Sequence, residues 1–304
     1  MTVVAASENF MIRKGILIFL LTVLSFCVST RTLHAWGKLG HATIGQIAQD
    51  HLSPKAHKAL AVYLEGKSLA AIASDADTYR GQWTMDLGFV ATNIANARPP
   101  WMKGFDFSTP LNIAPYSHMI TVDSEFKCYP TDNLDGEHID NVAYYVEKMA
   151  SDLKENAEDM DPFERYKTIA LIVHFLGDMH CPVHIVYRPD NVTKGKFKIN
   201  WMGTSVNYHG WWDKLVFDAC YDWSFSDMAL LADTATRKEI TGIVKGDIYD
   251  YAQDSARSCW PAASKYNTGD TIDRDYPVEV RELLFSQLRN AGYRLAKILN
   301  DIFR

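Results

Sequence analysis

One apolar segment near the middle of the chain constrains the fold more than any other feature. Residues 169–175 are almost wholly apolar, which is typical of a helix that is buried on all sides. Residues 139–150 and 284–302 repeat apolar side chains at spacings of three and four, which predicts two further helices. Ser53 and Pro54 are typical first residues of another helix, over residues 55–64. With residues 81–135 and 186–206 interpreted as loops, we predict an all-α fold with only short, peripheral strands.

The first 35 residues have the pattern of a secretory signal peptide. Two basic residues precede residues 16–28, an apolar stretch that is shorter than the about 20 residues a membrane-spanning helix needs. Residues 33–35 (Leu-His-Ala) form a tolerable cleavage site, after which the mature chain begins at Trp36. We therefore predict an exported protein, periplasmic or secreted, in which residues 36–304 form one domain. A monomer without stable membrane association is expected.

Charge and cysteine content limit the partners that we expect. The formal net charge is −6 and the leader contributes +2, so the mature chain carries −8 (−6 less +2). Nucleic-acid affinity normally comes from Lys and Arg, so binding of phosphate by an acidic chain needs a local positive charge, such as bound metal ions. Four cysteines remain after cleavage, and in an exported protein this even number predicts two disulfides, with buried free thiols as the alternative. These are Cys128, Cys181, Cys220 and Cys259. Zinc ligation by thiolate is less favoured, because no Cys-x-x-Cys pair occurs and the His and Asp residues suffice.

The apolar helix contains two residues that could bind a metal ion. His174 and Asp178 are four positions apart and therefore lie on the same helix face. Burying both is costly unless they pair with each other or bind a metal, so a buried ion pair is the alternative. We predict that Pro182 ends the helix and that His184, just beyond it, turns back toward the same site.

Further candidate ligands are distributed along the chain. His209 and Asp213 repeat the four-residue spacing, and Arg80 follows Asp77 by three residues, where it could bind a phosphate or steady the carboxylate. Cleavage before Trp36 would leave an α-amino group with a pKa of about 7.7–8.0, which can bind a metal together with the Trp36 carbonyl. Zinc accepts His and Asp ligands, with about four positions for each ion. The sequence therefore predicts a zinc centre built from Trp36, His41, Asp77, His118, His174, Asp178, His184, His209 and Asp213.

Three motifs in these segments resemble those of the zinc-dependent type I nucleases. This family comprises fungal single-strand-specific nucleases and plant bifunctional nucleases, and shares a superfamily with zinc phospholipase C. The motifs are Trp-Gly-x₂-Gly-His at 36–41, His-Phe-Leu-Gly-Asp-Met-x₂-Pro-Val-His at 174–184 and His-x₂-Trp-Asp at 209–213. The resemblance implies a single compact helical domain with long loops around a cleft that holds three zinc ions.

The resemblance also implies how the ligands divide among the ions. One ion takes Asp77, His118 and His174. A second ion takes the amine and carbonyl of Trp36 together with His41, and Asp178 bridges these two ions. The third, more exposed ion takes His184, His209 and Asp213. The family pairs cysteines that resemble Cys128 and Cys259, which would leave Cys181 and Cys220 as the remaining pair.

The activity implied by the resemblance is hydrolysis of phosphodiester bonds in single-stranded DNA and RNA to 5′-phosphate products. Cleavage of 3′-nucleotides is a further activity to test. Two ions bridged by Asp178 would lower the pKa of a water molecule toward neutrality for in-line attack on phosphorus. The third ion and Arg80 would stabilise charge on the oxygens. The chain departs from the family at Asp75 (usually Trp), Cys181 (often Gln) and Met119 (an aromatic that stacks a base in several members), so base preference and strand selectivity stay open.

Two other functions are compatible with parts of the pattern. A zinc phospholipase C shares the 174–184 spacing and an N-terminal Trp, but its first His lies further from that Trp, and it typically has Glu where Asp213 stands. A non-catalytic zinc-storage protein is the second alternative. A structural zinc site is saturated by protein ligands, whereas this set leaves positions open for water and phosphate.

Overall fold

The fold is built mainly from α-helices, which confirms the prediction of an all-α protein. The computed structural model describes residues 36–78, 118–128, 141–188, 192–193, 197–218 and 222–304, all of which belong to one compact unit. The helices in chain order are α1 (Gly37–Asp50), α2 (Pro54–Tyr63), α3 (Leu69–Ile72), α4 (Asp75–Thr78), α5 (Val142–Asn156), α6 (Pro162–Asp178), α7 (Tyr208–Gly210), α8 (Val216–Asp218), α9 (Phe225–Ala232), α10 (Arg237–Ile243), α11 (Ile248–Ala263), α12 (Tyr276–Glu279) and α13 (Arg281–Ile302).

Helix α6 lies at the centre of the core. All of its residues from 167 to 178 are buried, as the apolar run predicts. Asp161 caps its start by accepting hydrogen bonds from the N–H groups of Phe163 and Glu164. The helix ends at Asp178, so the prediction that Pro182 ends it was wrong by about one turn. The α-helical hydrogen bonding ends here because Cys181 N–H donates to the Asp178 carbonyl, three residues back instead of four. Pro182 begins a 3₁₀ turn over Pro182–His184.

Helix α1 connects this core to the rest of the protein. It packs against α13, α3, α9 and α6, and it begins at Gly37. Helix α13 covers the predicted apolar repeat from end to end, and Ser53 caps α2 through its side chain, also as predicted. His41 on α1 is thereby held against α6, where His174 and Asp178 lie.

The strands are short and lie beside the helices. β1 (Ile120–Val122) pairs in parallel with β2 (Ile185–Tyr187), which pairs antiparallel with β3 (Val192–Thr193). β4 (Lys198–Trp201) and β5 (Thr204–Asn207) form a separate hairpin. Interpreting 186–206 wholly as loop was therefore wrong for the hairpin, whose turn at Met202 and Gly203 has positive φ at both positions.

Several predictions lie outside the described residues, namely the signal peptide at 1–35, Arg80 and Cys220. The domain boundary at Trp36 stays a prediction. Within the part of the chain that the structure describes, no helix has both the length and the apolar character needed to cross a membrane.

Candidate metal centre

His174 is oriented on α6 by a backbone carbonyl. Its Nδ1 lies 2.9 Å from the carbonyl oxygen of Ala73. A carbonyl can only accept, so Nδ1 carries the proton and Nε2 carries the lone pair. Nε2 lies 3.6 Å from Asp77 Oδ1 and 3.5 Å from Asp178 Oδ2. Fixing the tautomer through the distal nitrogen is the arrangement that protein metal sites use to aim a histidine at its ion.

Asp178 lies between two histidine rings. Its Oδ2 faces His174, whereas its Oδ1 lies 3.3 Å from His41 Nε2. The rings of His41 and His174 are stacked, with centroids 4.1 Å apart. Two ligand atoms that share a tetrahedral zinc ion at about 2.0–2.2 Å lie about 3.3–3.6 Å apart. The two oxygens of one carboxylate therefore stand at ligand-to-ligand distance from two different histidines.

The environment of Asp178 is unfavourable for a bare carboxylate. The side chain is fully buried, and within the described residues neither of its oxygens accepts a hydrogen bond. Burial raises the pKa of this carboxyl to about 7, although His174 and His118 act in the opposite direction. Buried polar groups are normally satisfied, and a buried charge needs a partner or a metal. These oxygens fit a bound cation.

Asp77 reaches the site from the short helix α4. Its neighbour Asp75 is held by a different contact, because its Oδ2 accepts a 2.5 Å hydrogen bond from the Tyr166 hydroxyl. Burial raises the pKa of Asp75. His41, Asp77 and His174 each offer a ligand atom within 4.8 Å of the other two.

The parallel pairing of β1 and β2 brings a second group of histidines together. Ile120 pairs with Ile185, so the residues just before each strand lie at the same edge of the sheet. His184 directly precedes β2 and His118 lies two residues before β1, and their ring centroids are 4.9 Å apart. His209 lies beyond His184, with centroids 4.4 Å apart. The pairing of β1 with β2 in this three-stranded sheet thus brings together His118 and His184, which are 66 positions apart in the sequence (184 less 118).

His184 and Asp213 complete this second group. The His184 side chain is fully buried, neither ring nitrogen has a hydrogen-bond partner among the described residues, and burial lowers its pKa well below the usual value. Asp213 Oδ2 lies 3.2 Å from His209 Nε2, across one turn of the continuous helix that α7, a π-helical turn at Trp211–Leu215 and α8 form. The four-residue spacing therefore places this pair on one face, as predicted.

Trp36 is locked into the site by its own side chain and by the next residue. Its indole is fully buried and makes edge contacts with Trp212 and Phe217. Trp36 and Gly37 both have positive φ, at 33° and 30°. A Cβ at Gly37 would lie 2.3 Å from the Asp213 carbonyl oxygen, so only glycine permits this approach. The start of α1 is thereby pressed against the helix that holds Asp213.

Comparison with known proteins agrees with this geometry. The S1/P1 nuclease family profile matches residues 36–304. The chain belongs to the S1/P1 nuclease family. It is similar to nuclease P1 of Penicillium citrinum, with 28% identity over 296 residues covering 88% of this chain and 97% of that protein. Nuclease S1 of Aspergillus oryzae is 24% identical, covering 88% and 92% of the two chains. Endonuclease 2 of Arabidopsis thaliana is 23% identical, covering 89% and 91%.

Family membership makes the protein a nuclease, a hydrolase that acts on nucleic acid. In this nuclease all nine predicted ligand residues lie among the described residues, and Asp178 interacts electrostatically with His174, His118, Asp77 and Asp213. His184 interacts likewise with His209, His118, His41 and His174. The structure thus brings residues from α1, α4, α6, the strand edge and the 208–218 helix into one largely buried cluster. Arg80 lies outside the described residues.

Sequence reasoning missed one residue of this cluster. Cys181, which was assigned to a disulfide, offers its Sγ within 4.8 Å of ligand atoms of His184 and Asp213. The signal was its position, three residues after Asp178 and three before His184, where the family often has Gln. Cys181 is a free, buried thiol, and burial raises its pKa well above the usual value.

The disulfide that the resemblance implied is also absent between the two other described cysteines. Cys128 and Cys259 are both free and buried. The Asn141 side chain donates to Cys128 Sγ at 2.9 Å, while Cys259 Sγ donates to the His180 carbonyl at 3.9 Å. Each thiol has its own polar partner, so the Cys128–Cys259 pairing was wrong for this structure.

Proposed function

We propose that the protein is a zinc-dependent endonuclease that cleaves single-stranded DNA and RNA and leaves 5′-phosphate ends, with 3′-nucleotides as a further substrate. The observation that carries this proposal is Asp178, a fully buried carboxylate whose two oxygens face His41 and His174 and have no hydrogen-bond partner among the described residues. A carboxylate in this position fits a bridge between two cations better than an isolated ion pair.

The donor atoms favour zinc as the metal. Imidazole nitrogens and carboxylate oxygens make up the set, a combination that suits zinc better than calcium or magnesium, which prefer oxygen alone. We assign one ion to Asp77, His118 and His174, a second to Trp36 and His41, and a third to His184, His209 and Asp213, with Asp178 shared by the first two. When bound, the ions would supply an activated water and positive charge for the phosphate.

The protein residues supply orientation and charge. The Ala73 carbonyl fixes the tautomer of His174, and the turn after α6 places the His184 ring beside those of His118 and His209. Three ligand carboxylates, Asp77, Asp178 and Asp213, would offset three of the six positive charges of three zinc ions. The cleft would then keep a net positive charge within an acidic protein, which explains how this chain can attract a polyanion.

We further propose that removal of residues 1–35 completes the centre. Two observations support this proposal: the family match begins at Trp36, the residue that the predicted cleavage would expose, and the Trp36 N–H group interacts with Cys181 Sγ. A free α-amine can bind a metal, whereas an amide nitrogen in an uncut chain cannot readily do so. Export and activation would then depend on the same proteolytic step.

The phospholipase C alternative is not favoured, because the matching family is that of nucleases and its relatives align over nearly their whole length. A storage protein is disfavoured for the same reason.

Asp178→Asn is the decisive variant. It is measured by release of acid-soluble nucleotides from single-stranded DNA, with zinc content determined on the same sample. The exposed Asp227→Asn is the matched control, because Asp227 only caps α9. We expect Asp178→Asn to lose activity by about 100-fold or more and to bind fewer ions, because the bridge between two ions is lost. Near-normal activity of Asp178→Asn with full zinc content would refute the proposal. Hydrolysis of phosphatidylcholine in place of DNA by the wild-type protein would favour the phospholipase C alternative.

A further inference from the structure

We infer that Cys181 is a metal ligand, acting on the same ion as His184 and Asp213, so that this chain has a sulfur donor in a site otherwise built from nitrogen and oxygen. The inference rests on the proposed metal centre and extends it to a residue that the sequence motifs do not assign.

The backbone holds Cys181 rigidly at this position. Its N–H donates to the Asp178 carbonyl at 2.9 Å, and its own carbonyl accepts from the His184 N–H at 3.0 Å. These two backbone bonds close consecutive tight turns, so the position of Cys181 is fixed relative to both Asp178 and His184. The thiol is fully buried.

The Cys181 side chain lies close to possible metal-ligand atoms of Asp213 and His184. Sγ lies 4.0 Å from Asp213 Oδ1, while Asp213 Oδ2 faces His209 Nε2 at 3.2 Å. One carboxylate therefore faces both the cysteine and the second histidine. Ligand atoms of Cys181, His184 and Asp213 all lie within 4.8 Å of one another.

His184 gives an independent reason to place a cation here. It is fully buried, and neither of its ring nitrogens has a hydrogen-bond partner among the described residues. A buried imidazole with two unsatisfied nitrogens is costly, and coordination of a metal would satisfy one of them. The other described thiols differ in the kind of partner: Cys128 accepts from the Asn141 amide and Cys259 donates to a backbone carbonyl, whereas the Cys181 thiol donates to the Asp213 carboxylate, itself a proposed ligand.

A sulfur ligand changes what this ion can do. His184, His209 and Asp213 supply three donors, and Cys181 makes four, the full complement of a tetrahedral zinc ion. Coordination requires the thiolate, so the thiol proton is released to solvent when the metal binds. We expect this ion to be held more tightly than a three-ligand site would hold it, and to have no free position for substrate. Soft thiolate also favours zinc over magnesium or manganese.

Cobalt substitution tests the inference directly. The mature protein starting at Trp36 is stripped of metal, loaded with Co²⁺ and examined by absorption spectroscopy for the thiolate-to-cobalt charge-transfer band in the near ultraviolet. We expect the band in the wild type, its loss in Cys181→Ser, and its retention in Cys128→Ser and Cys259→Ser, which remove buried thiols elsewhere. Chelator competition should show one ion bound at least about 10-fold more weakly in Cys181→Ser.

A second measurement keeps the inference open to refutation if Cys181→Ser does not fold. Wild-type protein is alkylated with and without zinc, and the cysteines are mapped; zinc should protect Cys181 far more than Cys128 or Cys259. Cobalt binding without a charge-transfer band, or a band that survives in Cys181→Ser, would overturn the inference. Hydrolysis of single-stranded DNA without the band would leave the proposed function standing, and the band without hydrolysis would leave the cysteine ligand standing.

Discussion

Replacing Gly177 with alanine tests whether the contact between α1 and α6 positions the metal ligands. A Cβ at this position would lie 2.7 Å from His41 Nδ1 and 2.9 Å from His41 Cε1. Ordinary contact begins near 3.4 Å, so the imidazole and the Cβ must separate by about 0.7 Å. His41 Nε2 is the atom that faces Asp178 Oδ1 at 3.3 Å, so the substitution displaces a proposed ligand by a large fraction of a bond length.

Two opposing terms decide the effect on stability. Forcing an extra methyl group into a packed interior costs about 1–3 kcal/mol. Alanine in place of glycine inside a helix returns about 0.5–1 kcal/mol. We therefore expect the free energy of unfolding to fall by about 0–2.5 kcal/mol. The effect on nuclease activity should be larger, about 10- to 100-fold, because a displacement near 1 Å can cost on the order of 100-fold.

The assay compares Gly177→Ala with Gly242→Ala. A Cβ at Gly242, on α10, would meet nothing within 4 Å, so this control should be stabilised by about 0.4–1 kcal/mol and keep full activity. Urea unfolding measures stability, and chelator competition measures the affinity of the most weakened ion. Wild-type activity and metal affinity in Gly177→Ala would refute the idea that this close approach sets the position of His41.

Three further changes have defined outcomes. His180 donates through Nδ1 to the Leu176 carbonyl and accepts from Arg294, and burial lowers its pKa to about 3. Between pH 6.5 and 3 only the unfolded chain protonates His180, so this residue makes the free energy of unfolding fall by about 1.4 kcal/mol per pH unit as the pH decreases. His180→Gln should remove that contribution, as measured by urea unfolding of the metal-free protein at several pH values below 6.5. A chelator should lower the melting temperature, and added zinc should restore it. At a free zinc concentration of 100 times Kd, zinc binding should add about 2.7 kcal/mol to the free energy of unfolding. Ser53→Ala removes the cap that Ser53 Oγ provides to the Ala56 N–H at 3.2 Å and should cost about 1 kcal/mol in urea unfolding without changing activity.

Each of these outcomes can fail in a recognisable way. An unchanged pH slope in His180→Gln would mean that another group controls acid stability. A melting temperature that ignores the chelator would contradict metal binding by the folded protein. Loss of activity in Ser53→Ala would show that the start of α2 affects the positions of the metal ligands.

Local patterns in the sequence predicted the parts of the site that lie on one element. His174 and Asp178 on α6, and His209 with Asp213, share a face because their spacing is close to one helical turn. The apolar run around His174 indicated a buried helix. Because burying His174 and Asp178 is costly without a partner, their presence in that helix pointed to a metal site or an ion pair. Such inferences need no knowledge of the rest of the chain.

Contacts between distant segments could not be predicted in this way. His118 meets His184 only because two three-residue strands pair in parallel, and strands this short leave little periodicity to detect. The 198–207 hairpin was missed because its turn uses Met202 and Gly203, whereas the strong signal for such a turn is Asn-Gly or Asp-Gly. Cys181 was misassigned because an even cysteine count favours disulfides, and only the folded turn shows its neighbours.

The buried start of α1 limits how this protein can acquire new domains. With the Trp36 indole in contact with Trp212 and Phe217, and its N–H group against Cys181, a polypeptide retained before this residue would begin beside the proposed metal ligands. The opposite terminus is unobstructed, since α13 ends at Ile302 and the Arg304 side chain is exposed. If residues 1–35 are removed as we propose, an affinity tag or a fused domain should disturb the centre less at the carboxyl end than at the amino end.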